Sequence, residues 1–185
     1  MNEVLVSVDV EASGPVPGRY SLLAIGACLL ESTDKRFYIE LKPSVERFDP
    51  TAVEISWPEE PAERTLARLR RDGIEPDVAI RAFRDWVLGH ATDAKPVFVA
   101  WNAAFDWAFT HYEFAAAGLE DPFGHAPLDI KSYWAGRSGV SLEETRWSRL
   151  PSWVSAGLGE HTHRADEDAV RQAEMFRRMR AAIRG

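Results

Sequence analysis

The first apolar run of the chain, residues 4–8, constrains the fold more than any other feature. It consists of Val-Leu-Val-Ser-Val and leads directly into Asp9 and Glu11. A short run rich in β-branched residues, bounded by polar ones, is typical of a strand buried on both faces. The sequence therefore predicts a buried strand that ends in two acids.

The remaining segments predict an alternation of strands and helices. Four further strands are predicted, at residues 21–30, 36–41, 97–101 and 127–130. Helical spacing of apolar residues predicts helices at residues 62–73, 76–89, 105–118 and 164–183. Residues 43–61 and 131–159 are predicted as short helices with loops. Three strands that can pair as antiparallel neighbours, then strand–helix–strand and a final helix, indicate an α/β or α+β layered domain.

Length and composition limit the class of protein. The chain has 185 residues, 45% of them hydrophobic, so we expect one domain over residues 1–185 with a full core. The longest uncharged stretch near the start, residues 20–30, is half the length of a membrane span. Residues 4–8 run into Asp9 without the basic segment of a secretory signal, and Cys28 has no second cysteine to pair with. We therefore expect a soluble, cytoplasmic protein without a membrane partner.

The charge balance limits how nucleic acid could be bound. The formal net charge is −7, and the chain lacks the excess of basic residues with which a protein coats duplex nucleic acid. A site that holds only a short end, with bound cations supplying the positive charge, needs few basic side chains. Such a site stays open to this chain.

Asp9 and Glu11 are predicted to lie on one face of the sheet, because residues two apart in a strand point the same way. Two carboxylates on one face repel each other unless a cation lies between them. Acids are also ordinary at strand ends that meet solvent, so this pair alone does not identify a metal site.

A second pair lies where a helix is predicted to begin. Asn102 and Asp106 are four residues apart, which places them on one face near the helix N-terminus. Asn102 is equally well explained as the helix cap, and Asp106 as an acid favoured in the first turn.

A third pair, His163 and Asp168, opens the final helix, with Asp168 predicted in its second turn. His161 and Asp166 have the same spacing and form a rival pair. Two alanines flank Asp168 and would let this helix approach the sheet closely, whereas the shifted register puts an arginine in that contact. The sequence therefore favours His163 with Asp168. Four carboxylates and a histidine together suit hard divalent ions such as Mg²⁺ or Mn²⁺ better than Zn²⁺.

These three pairs resemble, in order and spacing, the motifs of the DEDDh family of 3′-5′ exonucleases. That family includes the proofreading subunit of bacterial DNA polymerase III, ribonuclease T and oligoribonuclease. Its motifs D-x-E, N-x-x-F-D and H-x-A-x-x-D-A match residues 9–11, 102–106 and 163–169, and the resemblance runs from Val4 to Met179. It implies an α/β, ribonuclease H-like fold: a mixed five-stranded sheet, with three antiparallel strands followed by parallel strands, flanked by helices.

The resemblance also implies an activity. A member of this family hydrolyses phosphodiester bonds at the 3′ end of single-stranded RNA or DNA and releases nucleoside 5′-monophosphates, using two divalent cations. By resemblance, Asp9 bridges the ions, Glu11 and Asp168 bind the ion that carries the attacking water, and Asp106 holds the second ion. His163 corresponds to the general base, a role for which imidazole is suited near neutral pH.

Contacts to the terminal nucleotide are implied for a loop and for the second motif. The resemblance assigns them to Ala12, Ser13, Gly14, Asn102 and Phe105, although many members have Thr-Thr-Gly where this chain has Ala-Ser-Gly. A single-stranded 3′ end is the implied partner, and a homodimer is possible because ribonuclease T and oligoribonuclease are homodimers.

Two other functions fit part of the pattern. A phosphatase of the haloacid dehalogenase class also has an acid pair after a buried strand, but its motif is D-x-D followed by Thr, which Glu11 and Ser13 fit badly. A catalytically silent module of the same fold that binds nucleic acid or a partner is the other alternative. It predicts a missing or replaced acid, whereas all five motif positions are intact.

Overall fold

The protein is built on a five-stranded mixed sheet. The computed structural model describes residues 2–159 and 162–182. The strands are β1 (Glu3–Ala12), β2 (Leu22–Leu29), β3 (Ser32–Glu40), β4 (Lys95–Ala100) and β5 (Leu128–Asp129). Their order across the sheet is β3-β2-β1-β4-β5. β1 pairs antiparallel with β2, and β2 with β3, whereas β4 runs parallel to both β1 and β5. This confirms the predicted fold class.

The helices flank this sheet. They are α1 (Pro50–Ser56), α2 (Ala62–Asp72), α3 (Pro76–His90), α4 (Ala103–Ala116), α5 (Ile130–Ser138), α6 (Ser152–Ser155) and α7 (Ala165–Ala181), with 3₁₀ turns at Leu142–Thr145 and Trp147–Arg149. No helix within the described ranges has the length and apolar character to cross a membrane.

Several predicted boundaries differ from the structure, and three of these differences lie at or beside the predicted site residues. β1 does not end at the acids but continues to Ala12, because Asp9 and Glu11 still pair with residues of β2. Ile130, predicted within a strand, begins α5 instead, since the side chain of Asp129 caps that helix. The last helix begins at Ala165, which places Asp168 in its first turn rather than its second; residue 183, its predicted end, lies outside the described residues.

The core consists of apolar layers on both faces of the sheet. On one face, helices α3 and α4 cover β1 with fully buried aromatic residues such as Phe83 and Phe109. On the other face, α5, α6 and α7 cover the sheet, with Met175 and Phe176 among the buried residues. Burying each such side chain stabilises the fold by roughly 1.5–3 kcal/mol. β1 is thereby held between two layers, as its sequence predicts.

Helix α7 lies unusually close to the sheet. Ala165 and Ala169 are fully buried, and the Ser7 hydroxyl of β1 donates a hydrogen bond to the carbonyl oxygen of Ala169 at 2.8 Å. A Cβ atom at Gly26 of β2 would overlap the backbone of Ala165. The small residues therefore allow the approach predicted for them, and they bring the first turn of α7, with Asp168, against the end of β1.

Candidate active site

Three carboxylates from opposite ends of the chain meet at the end of β1. Asp9, Glu11 and Asp168 each place one oxygen so that all three lie within 4.8 Å of one another. The strand periodicity turns Asp9 and Glu11 to one side while Val8 and Val10 enter the core. Asp168 completes the group because α7 is pressed onto the sheet. The structure thus brings together three of the four predicted metal ligands.

The environment of these acids opposes their ionisation. Burial raises the pKa of Glu11 to about 8, with the charges of Asp168 and Asp106 adding to the effect. The pKa of Asp9 is raised well above its ordinary value, first by burial and then by repulsion from the charges of Asp106, Glu11 and Asp168. A cation bound to carboxylates in this arrangement would offset their mutual repulsion and stabilise their ionised forms.

Asp106, the fourth predicted ligand, lies beside this group of three without belonging to it. It is buried in the first turn of α4, and its Oδ1 accepts a hydrogen bond from the backbone N–H of Val10 at 3.0 Å. Burial raises its pKa to about 7, although that hydrogen bond acts in the opposite direction. Because Val10 directly follows Asp9 in β1, this hydrogen bond places Asp106 next to Asp9, and the charge of Asp106 contributes to the raised pKa of Asp9.

Asn102 does not act as the helix cap that its position suggests. It precedes α4 in a left-handed conformation, with φ of 69°, and its side chain makes no capping hydrogen bond. Asp129 of β5 takes this role, because its Oδ2 accepts from the N–H of Ala103 at 2.8 Å while its Oδ1 accepts from the N–H of Ser132 at 2.7 Å. The exposed side chain of Asn102 is therefore not used for capping. The cap was missed because only the fold brings Asp129 to this helix.

The segment before α7 distinguishes the two rival registers in part. Asp166 accepts an ion-pair hydrogen bond from Arg164 Nε at 2.7 Å, whereas Asp168 joins the acid group. The structure therefore supports Asp168 over Asp166. Residue 161 lies outside the described residues, so the choice between the two histidines stays a prediction. His163 has a φ of 54°, and strained backbone of this kind is concentrated at functional sites.

Ser56 is a neighbour of the acids that sequence reasoning missed. It is buried at the last residue of α1, and its hydroxyl donates a hydrogen bond to Oε2 of Glu11. Nothing in the local sequence marks this serine, because it lies in a short helix far from the three motifs. Its hydrogen bond stabilises the ionised form of Glu11 and thereby opposes the rise of the Glu11 pKa.

A cavity of about 380 Å³ opens beside Glu11. Three of the predicted substrate residues, Ala12, Gly14 and Phe105, line it together with residues of α1. Ser13 does not line it, because its hydroxyl accepts from the N–H of Ser21 at 2.8 Å and donates to the carbonyl of Arg47. Ser13 thus holds the loop in shape.

Gly14 is required at its position for a steric reason. A Cβ atom there would overlap the ring of Tyr20, which packs against the loop. The same loop therefore brings the backbone next to the cavity without a side chain in the way. This is the physical reason for a glycine directly after Ser13.

The chemistry of the donors fits hard divalent cations. The group of three offers carboxylate oxygens alone, and such ligands suit Mg²⁺ and Mn²⁺. Burial, together with the charges of neighbouring acids, raises the pKa values of Asp9 and Glu11, and a cation bound there would favour their ionised forms. Asp9, Glu11 and Asp168 are the residues that could hold such an ion, with Asp106 adjacent.

Comparison with known proteins gives consistent results. The model of the family described as the 3′-5′ exoribonuclease Rv2179c-like domain matches residues 4–179, the span of the resemblance seen in the sequence. The chain is 42% identical over 177 residues to the 3′-5′ DNA exonuclease Cap18 of Escherichia coli, covering 95% of this chain and 90% of that protein.

Solved structures share the fold at much lower identity. The nuclease domain of 3′hExo, a DEDDh family member bound to rAMP, superposes with a TM-score of 0.75 at 13% identity, covering 97% of this chain and 92% of that one. Exonuclease I of E. coli in complex with a dT13 oligonucleotide gives a TM-score of 0.68 at 18% identity, over 94% of this chain and 40% of that chain. The fold is thus ribonuclease H-like, as expected.

Proposed function

The chain belongs to the family of Rv2179c-like 3′-5′ exoribonuclease domains and is a 3′-5′ exonuclease of the DEDDh type, and from this premise we propose how it acts and on what. It shortens single-stranded nucleic acid from the 3′ end and releases nucleoside 5′-monophosphates. The observation that carries the proposal is the convergence of Asp9, Glu11 and Asp168 within 4.8 Å at the end of a buried strand. The family match also supports residues 1–185 as one exonuclease domain.

The acids are proposed to hold two divalent cations, Mg²⁺ or Mn²⁺. Cations bound there would lower the pKa of an attacking water and offset the negative charge that builds up on the phosphate. Asp9, Glu11 and Asp168 provide one set of oxygens, and Asp106, adjacent to Asp9, provides ligands for the second ion directly or through water. The pairing of β1 with β2 fixes the positions of Asp9 and Glu11, and the hydrogen bond that Asp106 accepts from the N–H of Val10 fixes that of Asp106.

His163 is proposed as the general base that takes the proton from the attacking water. It directly precedes α7, which carries Asp168, and its left-handed backbone is the kind of local strain that a fold retains for function. No serine or cysteine nucleophile is needed in this scheme, because water attacks directly. The acids and the family match together argue against the haloacid dehalogenase-type phosphatase and the silent binding module.

The cavity beside Glu11 is proposed to hold the terminal nucleotide. Phe105 supplies a ring on which a base can stack, an interaction worth roughly 1–3 kcal/mol per base, and Ile55, 56% exposed on α1, offers an apolar surface in the same cavity. Asn102, exposed and not needed for capping, is available to the strand. The sugar is left open, since the family description names RNA and the E. coli relative DNA.

A gel time course on matched 5′-labelled single-stranded RNA and DNA oligomers with Mn²⁺ tests the proposal. We expect the wild type to produce a ladder of products shortened from the 3′ end. The oligomer that is shortened faster identifies the preferred sugar. Asp168→Ala should abolish the ladder. Glu167→Ala, which removes the neighbouring exposed acid of the same helix, is the matched control and should remain active.

Two outcomes would contradict the proposal. If Asp168→Ala shortened the oligomers at the rate of the wild type, Asp168 would have no part in the site. Activity that survives thorough chelation with EDTA would refute the role of divalent cations.

A further inference from the structure

A second cavity, of about 170 Å³, borders the acid group at Asp9 and Asp168, whereas the first borders it at Glu11. Asp9 and Asp168 form its wall, and the cation Arg171 and two tryptophans also line it. Its volume is below the roughly 300 Å³ at which sites for whole drug-sized ligands begin. It is therefore suited to a phosphate group with part of a sugar rather than to a complete nucleotide.

Arg171 is fixed in this cavity by an aromatic stack. It lies three residues after Asp168 on α7, and its guanidinium carbon is 3.7 Å from the centre of the Trp147 ring. Stacking uses the face of the guanidinium group and leaves the N–H groups in its plane available for an anion. Its Nε is buried and makes no hydrogen bond with any residue of the ranges 2–159 and 162–182.

Hydrogen bonds and a ring contact hold the surroundings of this stack in place. Gln172 bridges β1 and the residue that follows β4, since its Nε2 donates to the carbonyl of Val8 at 2.6 Å and its Oε1 accepts from the N–H of Trp101 at 2.6 Å. Trp101 in turn contacts Trp147 edge to face, with ring centroids 5.9 Å apart. A preformed, aromatic-braced arginine loses little freedom when it binds an anion.

Burial lowers the pKa of Arg171, and only the charge of Asp168 opposes this. Arg171 is only partly buried, but its buried Nε, which has no hydrogen-bond partner among the described residues, costs free energy that an anion bound to the guanidinium group would offset. The acid group itself attracts cations and not anions. The anion that reaches this place is therefore one brought in with the substrate.

We propose that Arg171, braced by Trp147, binds the phosphate of the nucleic-acid strand immediately 5′ to the phosphate that is cleaved. The inference rests on the proposed function, in which the terminal nucleotide occupies the cavity beside Glu11. Glu11 borders the cavity for the terminal nucleotide, and Asp9 and Asp168 border the cavity that holds Arg171, so in this proposal the strand that remains after cleavage leaves past Asp9 and Asp168 along Arg171. Arg171 is thus a specificity residue: it favours a substrate whose strand continues on the 5′ side of the cleaved phosphate.

The test removes the charge from each side of the contact in turn. The probe is a short 5′-fluorescein-labelled oligomer, in DNA and RNA forms, with either a normal phosphate or a neutral methylphosphonate at that position. Binding is measured by fluorescence anisotropy with Ca²⁺ in place of Mn²⁺, and kcat/KM with Mn²⁺. We expect the methylphosphonate to weaken binding by the wild type roughly tenfold, as loss of one charged hydrogen-bonded contact does.

Arg171→Met should bind both oligomers equally, at the affinity of the wild type for the methylphosphonate oligomer. Arg177→Met, which removes an exposed arginine of the same helix, should keep the full tenfold difference. Arg171→Lys, which keeps the charge without the planar fork, should keep part of it, and it remains informative if Arg171→Met fails to fold.

An equal loss of affinity for both oligomers in Arg171→Met would overturn the proposal, because it would indicate a role in positioning Asp168 alone. Equal binding of the two oligomers by the wild type would overturn it as well. The failure of the proposed function looks different: the wild type would then leave the normal oligomer uncut, whatever the anisotropy gives.

Discussion

Glu11→Gln is expected to remove a large part of the pH dependence of stability in the metal-free protein. Burial raises the pKa of Glu11 from 4.5 to about 8, and the charges of Asp168 and Asp106 contribute. In the folded state the Glu11 carboxyl therefore keeps its proton over a pH range in which the unfolded chain has already lost it. Glutamine, which is uncharged at every pH, lacks this difference.

The sign and the size follow from proton linkage. A group whose pKa is higher in the folded state than in the unfolded state stabilises the fold at pH values below its unfolded-state pKa. This stabilisation is lost as the pH rises towards the folded-state pKa. The window for Glu11 extends from 4.5 to about 8. The full shift corresponds to about 5 kcal/mol in the free energy of unfolding, an upper bound because Glu11 borders a cavity that admits water. We expect a loss of about 2–4 kcal/mol across the window.

The assay is urea unfolding followed by circular dichroism in EDTA, at about pH 5 and at about pH 8.5, on either side of most of this window. Wild type should lose more stability than Glu11→Gln between the two conditions. Glu59→Gln, which changes an exposed acid in a loop, controls for net charge and should behave as the wild type. Saturating Mn²⁺ at the higher pH should restore stability to the wild type, by about 2.7 kcal/mol at a hundredfold excess over its dissociation constant.

Two results would refute this reasoning. One is a wild type whose metal-free stability falls no more than that of Glu11→Gln as the pH rises. The other is an equal stabilisation of both proteins by Mn²⁺, because Glu11 would then have no part in binding the cation.

Three further expectations concern the scaffold, the base and the support of the acids. Gly26→Ala should destabilise the protein by about 3 kcal/mol or more in urea unfolding, because the added Cβ overlaps the backbone of α7. Gly89→Ala is the control and should not destabilise the protein, because a Cβ there meets no atom within 4 Å. Equal losses of stability in the two variants would contradict the close approach of α7 to the sheet. His163→Ala should slow turnover by about 10²–10⁴ with Mn²⁺ affinity retained, and a larger loss in His161→Ala would assign the base to that residue instead. Ser56→Ala should weaken Mn²⁺ binding by about tenfold, measured by electron paramagnetic resonance of the free ion. Ser56→Thr, which keeps the hydroxyl, should restore the affinity. Unchanged Mn²⁺ affinity in Ser56→Ala would show that the serine contributes to packing only.

The local pattern was sufficient for most elements of the fold. Period-two and period-3.6 spacing of apolar residues depends only on backbone geometry, so β1, α2, α3 and α7 could be located directly. Boundaries were less certain where a distant partner decides them. β1 extends past its acids because β2 continues to pair with it, and α5 takes Ile130 because Asp129 caps it.

The candidate site divides in the same way. Spacing within each motif determined that Asp9 and Glu11 share a face, and the small residues around Asp168 predicted its close approach to the sheet. The contributions of Ser56 and Arg171 could not be inferred, because each depends on a segment that reaches the acids from elsewhere: α1 for the serine, and the 3₁₀ turn carrying Trp147 for the arginine.

The sequence by itself determined the chemistry that is available: which residues carry carboxylates, and that these follow a buried strand and open two helices. Only the tertiary structure decided which groups meet, because pairs such as Asp9 and Asp168 are separated by most of the chain and are brought together by sheet pairing and helix packing. It also decided their electrostatics. The raised pKa values of Asp9 and Glu11 come from burial and from the charges of neighbouring acids, and both are properties of the folded arrangement rather than of any residue within it.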